Sequence, residues 1–109
     1  MPIHLVLYTR ATHCPDQARA RKLLAEWNVP YQEVDCSRDA EALERIQSWN
    51  RHLGVPVVVI AEEGSLLPIC EPDPRPVGRS TRNFSRGTLI TEPSEEGLRQ
   101  FLQQHGLLP

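Results

Sequence analysis

The chain has almost no net charge, few cysteines and no long apolar run, and each shortage removes a class of function. A formal net charge of -2 and a pI near 6.1 give no general attraction for nucleic acid, so none is expected as a partner. The longest apolar stretch, residues 3–8, is interrupted by His4. It is too short for a signal-peptide core or a membrane span, so a cytoplasmic protein without membrane contact is expected. The three cysteines, Cys14, Cys36 and Cys70, are odd in number and far apart. That argues against a disulfide framework and leaves at least one thiol free. The four histidines, His4, His13, His52 and His105, form no cluster, and no cysteine lies at metal-ligand spacing, so no metal is expected. The two tryptophans, Trp27 and Trp49, sit at apolar helical positions and are assigned to packing.

What is present suits one compact unit over residues 1–109. A chain of this length, 39% apolar and 24% charged, buries roughly two-thirds of its unfolded surface, enough for one sheet with helices on it. Any site is then a surface groove. Residues 3–9 form a nearly continuous apolar run and predict a strand buried on both faces. After Pro15, residues 16–27 place Ala20, Leu23, Leu24 and Trp27 at helical spacing until Asn28, Val29 and Pro30 break the helix. Residues 31–35 predict a second strand. Ser37 is expected to cap a second helix carrying Ala40, Leu43, Ile46, Trp49 or Asn50, and Leu53, ended by Gly54.

Four β-branched residues, 57–60, follow Pro56. With residues 66–70 across the turn Glu62-Glu63-Gly64-Ser65, they predict a hairpin. Residues 71–87 hold four arginines and Pro72, Pro74 and Pro76 and read as an inserted loop. Residues 88–90 suit a short strand, and residues 93–102 a closing helix. The order βαβαββα predicts an α/β, thioredoxin-like fold: a mixed four-stranded central sheet flanked by helices, with an extended loop after the hairpin.

Cys14 falls at the N-terminus of the first helix, where the helix dipole and free backbone donors favour thiolate over thiol. Arg10 and His13 add positive potential in sequence, and Asp16 opposes it. Three segments, Val6-Leu7-Tyr8-Thr9-Arg10, Thr12-His13-Cys14-Pro15 and Gly54-Val55-Pro56-Val57-Val58-Val59, together resemble the glutaredoxin-like branch of the thioredoxin superfamily over residues 3–70. The resemblance implies that Cys14 is the nucleophile. It also implies a substrate-binding surface of Arg10, His13, Pro15, Gln17, Val55 and Pro56, with Pro56 cis and the main chain beside it offering hydrogen bonds to substrate. Arg10 stands where many glutaredoxins carry lysine, suited to holding a carboxylate.

Two departures from the family pattern shape the expected chemistry. Gln17 replaces the second cysteine of the Cys-Pro-X-Cys motif; it can donate a hydrogen bond to a thiolate but cannot resolve a mixed disulfide. A monothiol route is expected, with glutathione as co-substrate and no tightly bound cofactor. Its partners would be a disulfide or glutathionylated protein, with glutathione or a reductase to close the cycle. Cys36, after the second strand, is the better candidate for a distant resolving thiol, with Cys70 competing. The family's Gly-Gly-X-Asp-like turn is absent after Cys70, where the loop stands instead. Arg75, Arg79, Arg82 and Arg86 are expected to form a basic rim there, with Arg79 and Arg82 as anion-binding candidates. The rival reading is a catalytically inactive thioredoxin-fold module binding a peptide or small anion. Iron–sulfur delivery ranks last, because Pro15 stands where cluster carriers of the family typically have glycine.

Overall fold

The computed structural model describes residues 2–12, 14–75 and 78–109. Its elements are β1 (Ile3–Thr9), α1 (Pro15–Glu26), β2 (Tyr31–Asp35), α2 (Ala40–Asn50), β3 (Val57–Glu62), β4 (Leu89–Thr91) and α3 (Glu95–Gln104). They build one sheet in the order β2-β1-β3-β4. β1 runs parallel to β2, from Leu5↔Tyr31 to Thr9↔Asp35. It runs antiparallel to β3, from Ile3↔Glu62 to Tyr8↔Val57, and β3 pairs antiparallel with β4. This is the thioredoxin-like α/β arrangement.

Strand alternation divides the core into two layers. Leu5, Leu7, Val58 and Ile60 face α1 and α3, meeting Ala20, Leu24, Leu98, Phe101 and Leu102. Val6, Tyr8, Val57 and Val59 face the other way, onto Ala42 and Ile46 of α2. Because both faces of β1 and β3 are covered, their sequences are continuous apolar runs, each buried Leu, Ile or Val worth about 1.5–3 kcal/mol. The ends of β1 and β2 and the start of β3 come together on one edge, and the segment holding Cys14 leaves β1 there. Among the described residues, no helix is long and apolar enough to cross a membrane.

Several expected details differ. The second hairpin strand is Leu89–Thr91 and not residues 66–70, so the long loop lies inside the β3–β4 connection and does not follow the hairpin. Pro68 denies residues 66–70 a ladder donor. Their start is pulled onto the sheet face instead, where the Tyr8 hydroxyl donates to the Leu66 carbonyl and His4 Nε2 lies 2.7 Å from the Ser65 carbonyl. A single ladder-like bond survives, from Ile69 N–H to the Ile60 carbonyl at 3.1 Å. Asp39, not Ser37, caps α2, accepting from the Ala42 N–H at 3.1 Å. The Ser37 hydroxyl accepts from the Ala11 N–H at 2.8 Å instead, tying the α2 entry to the loop before Cys14. α2 ends at Asn50, with Arg51 left-handed (φ 62), so Leu53 lies beyond it.

The insertion is fastened along β4. Asn83 N–H donates to the Thr91 carbonyl at 2.7 Å and Arg86 N–H to the Leu89 carbonyl at 2.8 Å. Isolated bridges join Arg82 to Thr91 and Ser85 to Ile90. The residues expected as a loop thus cover an edge strand that would otherwise expose its backbone groups.

Candidate active site

Cys14 is the N-cap of α1 with an extended backbone (φ -143, ψ 115), and its side chain makes no capping bond. Pro15 takes the next position, where a helix needs no backbone donor. The Cys14 thiol is half-buried, and its Sγ donates to the Val55 carbonyl at 3.5 Å. The Val55–Pro56 peptide bond is cis. Val55 is buried, and the Pro56 carbonyl accepts from the Glu92 N–H at 2.8 Å. Cys14, Val55 and Pro56 therefore meet at the sheet edge. His13 lies outside the described residues.

Gln17 does something the sequence did not announce. It is 3% exposed, and its amide closes a pair of bonds with one residue of the preceding loop. Oε1 accepts from the Arg10 N–H at 2.9 Å and Nε2 donates to the Arg10 carbonyl at 2.9 Å. A third, longer bond runs from Nε2 to the Thr12 carbonyl at 3.3 Å. Both Nε2 hydrogens are thus committed to the loop, which leaves none for a thiolate. The residue replacing the second cysteine staples the Cys14 loop to α1. The Arg10 guanidinium donates to the Leu53 carbonyl at 3.4 Å, bracing the segment that leads to Val55.

Charge at the mouth of the site is organised by Arg82. It donates to Asp16 Oδ2 at 2.7 Å and Oδ1 at 3.2 Å, and to Glu92 at 2.7 Å. Arg19 reaches Asp16 as well, at 2.7 Å. The hydrogen bond from Arg82, more than that from Arg19, holds the Asp16 carboxyl below its ordinary value. The acid that would oppose a Cys14 thiolate is thereby matched by two cations. Glu92 is itself left-handed (φ 48), and its carboxylate packs against Gly54 so closely that a Cβ there would lie 2.5 Å from Oε1. Any larger residue at position 54 would displace Glu92 or the His52 ring.

The other candidate residues fall apart. Cys36 is buried beneath α2 in the second core layer. Burial first, then Asp35 and Asp39, pushes its thiol up to about 11, which weighs against a resolving role. Cys70 is exposed, and all three thiols are free. The four loop arginines do not form one rim beside Cys14: only Arg82 reaches Asp16 there, and Arg75, Arg79 and Arg86 line a separate cleft. Arg82 is paired as above, Arg79 is exposed, and Arg75 lies over the Phe84 ring at 3.8 Å. Arg86 is buried at 5% exposure. Glu92 was invisible to sequence reasoning because its partner Arg82 sits in the insertion and β4 was displaced in the expected hairpin. The turn after the last strand is Glu92-Pro93-Ser94, not the segment after Cys70.

Residues 5–64, more than half of the chain, match the glutaredoxin family. The chain belongs to the glutaredoxin family. Membership carries thiol–disulfide redox chemistry, with glutathione and disulfide substrates in general terms. Among solved structures, the chain is similar to the glutaredoxin grx-1 from Archaeoglobus fulgidus, at 23% identity and a TM-score of 0.43. That likeness covers 62% of this chain and 77% of the other. No curated protein matches it. In this family member the segment Cys14-Pro15-Asp16-Gln17 opens α1, and Gln17 is the staple described above.

Proposed function

We propose that this glutaredoxin works as a monothiol oxidoreductase through Cys14, in a reducing compartment such as the cytoplasm. The Cys14 thiolate attacks the glutathione sulfur of a glutathionylated protein. The S–S bond to the protein breaks, the protein leaves as a thiolate that takes up a proton, and a Cys14–glutathione disulfide forms. A second glutathione, as thiolate, attacks the glutathione sulfur of that disulfide. Oxidised glutathione leaves and the Cys14 thiolate returns. The overall change is one glutathionylated protein plus one glutathione to one protein thiol plus one oxidised glutathione.

The observation that carries this reading is the placement of a half-buried thiol at the α1 N-terminus against Val55. The Val55–Pro56 main chain is the surface along which an extended substrate would lie, and Arg10 is the cation nearest in sequence for its carboxylate. No cofactor need be bound. The absence of a second motif cysteine supports the monothiol route, and the burial of Cys36 supports resolution by an external thiol. Three free cysteines suit a reducing environment.

The test is a coupled deglutathionylation assay with purified protein. Wild type is expected to turn over with glutathione, and Cys14→Ser to lose all activity above the uncatalysed rate. Cys36→Ser and Cys70→Ser are expected to retain it. Activity in Cys14→Ser, or loss in Cys36→Ser with the fold intact, would overturn the assignment. An inactive wild type that binds peptides or anions would favour the non-enzymatic module.

A further inference from the structure

Between the C-terminal end of α2 and the insertion lies a cleft of about 360 Å³ that contains none of Cys14, Asp16, Gln17, Val55, Pro56 or Glu92. Its charge is one-sided. Arg51, Arg75, Arg79 and Arg86 line it against a single acid, Glu71. Four of the chain's 12 basic residues, but one of its 14 acidic ones, are thus gathered here in a protein of net charge -2.

The floor of the cleft holds a buried cation that the protein only partly balances. Arg86, nine-tenths buried, donates to the Asp73 carbonyl at 2.7 Å, the Trp49 carbonyl at 2.8 Å and Asn50 Oδ1 at 3.1 Å. Unlike Arg82, it has no carboxylate within ion-pair distance among the described residues. Burial, and then the charge of Arg75, pushes its guanidinium below the ordinary value, with the Asp73 carboxylate opposing the shift only in part. The carbonyl end of α2 supplies partial compensation, but a buried cation is normally matched by an anion.

Asn50 points the same way. It is 4% exposed, and its Oδ1 accepts from Arg86, which can only donate, and from the Thr91 hydroxyl at 3.0 Å. That fixes the amide orientation and leaves Nδ2 a buried donor with no acceptor among the described residues. Arg75 is held in position by the Phe84 ring and by a 3.0 Å bond from its Nε to the Ser80 carbonyl. No carboxylate pairs with Arg51, Arg75 or Arg79 among the described residues.

We infer that this cleft is a second binding site, taking a small polyanion that presents two or more phosphoryl or carboxylate charges to Arg51, Arg75 and Arg79 above Arg86. The volume falls in the range of small-molecule sites. Arginine forks suit both kinds of anion.

Isothermal titration of the full chain with inorganic pyrophosphate, and separately with citrate, tests this, and the tighter probe identifies the anion class. Wild type is expected to bind at least one of them. The double variant Arg75→Gln/Arg79→Gln is expected to lose about tenfold or more in affinity, with circular dichroism confirming its fold. Arg38→Gln removes an equal type of charge from an exposed position elsewhere and is expected to change affinity less than twofold. Glutathione is expected not to displace the probe, which separates this site from the Cys14 groove whatever the redox assay gives. Absence of binding by both probes, equal binding by the double variant, equal loss in Arg38→Gln, or displacement by glutathione would overturn the inference.

Discussion

Replacing Gln17 by alanine removes the staple between the Cys14 loop and α1, and the structure sets the size of the loss. Two bonds of 2.9 Å to the N–H and carbonyl of Arg10 vanish, with a third of 3.3 Å to the Thr12 carbonyl. Each short bond is worth about 1 kcal/mol net, and a buried group left without a partner costs about 1–3 kcal/mol. Arg10 is only half-buried, so water can reach its freed groups and the lower end applies. The sum is about 2 kcal/mol, or roughly 10 °C in Tm for a domain of this size. Gln17→Glu is the sharper variant. Its carboxylate can still accept from the Arg10 N–H but cannot donate to the Arg10 and Thr12 carbonyls. Burial raises the folded-state pKa of this new carboxyl above its unfolded value of about 4.3. The Gln17→Glu variant is therefore most stable with this carboxyl protonated, below about pH 4, and loses ground against wild type as pH rises through the folded value. Urea unfolding from pH 3.5 to 7.5 measures both variants. A loss under about 0.5 kcal/mol in Gln17→Ala, or a pH-independent gap in Gln17→Glu, would refute the staple. Gln17→Cys is likewise expected to place two cysteines in the Cys14–Gln17 segment yet unfold more easily than wild type.

Other outcomes follow from the same contacts. Because Asp16 has a lowered carboxyl pKa, its ion pairs stabilise the fold above the unfolded value of about 3.9, and this is lost as pH falls through the folded value. Asp16→Asn should therefore cost about 1 kcal/mol or less at pH 7, since Arg82 is half-exposed, and progressively less as pH falls below about 3.9 in matched denaturant titrations. Arg86→Leu strands the Asp73 and Trp49 carbonyls and should destabilise by about 2–3 kcal/mol; a neutral result would show that the insertion is not anchored there. With its thiol buried and pushed up to about 11, Cys36 should alkylate at pH 8 much more slowly than exposed Cys70. Peptide mapping after timed iodoacetamide treatment reads this, and comparable rates would contradict the burial argument.

The first half of the chain was legible because its signals are local. The apolar run of β1, the helical spacing of Ala20, Leu23 and Leu24, and the proline breaks around residues 28–30 each fix an element without help from distant residues. Cys14 at a helix N-terminus could be read from Pro15 alone. The β3–β4 hairpin was not legible because β4 is short and lies beyond residues 63–88, a segment whose Leu66, Leu67 and Ile69 imitate a strand. Pro68 was the available warning. Ser37 and Asp39 are both competent caps. Asp39 prevails because the Asp35 carboxylate accepts from the Ser37 N–H at 2.9 Å and turns residue 37 toward Ala11. The roles of Gln17, Arg82 and Asn50 depend on backbone groups and charges brought together only by folding. Residue type announces a hydrogen-bonding side chain at each position but not its partner.

Cys14 is proposed to be the thiol that exchanges. Incubating the reduced protein with oxidised glutathione and mapping every cysteine by intact-mass and peptide mass spectrometry tests it most directly. One glutathione adduct per chain is expected, on Cys14, removed by fresh reduced glutathione, with Cys36 unmodified. An unmodified Cys14, or an adduct confined to Cys36 or Cys70, would contradict it.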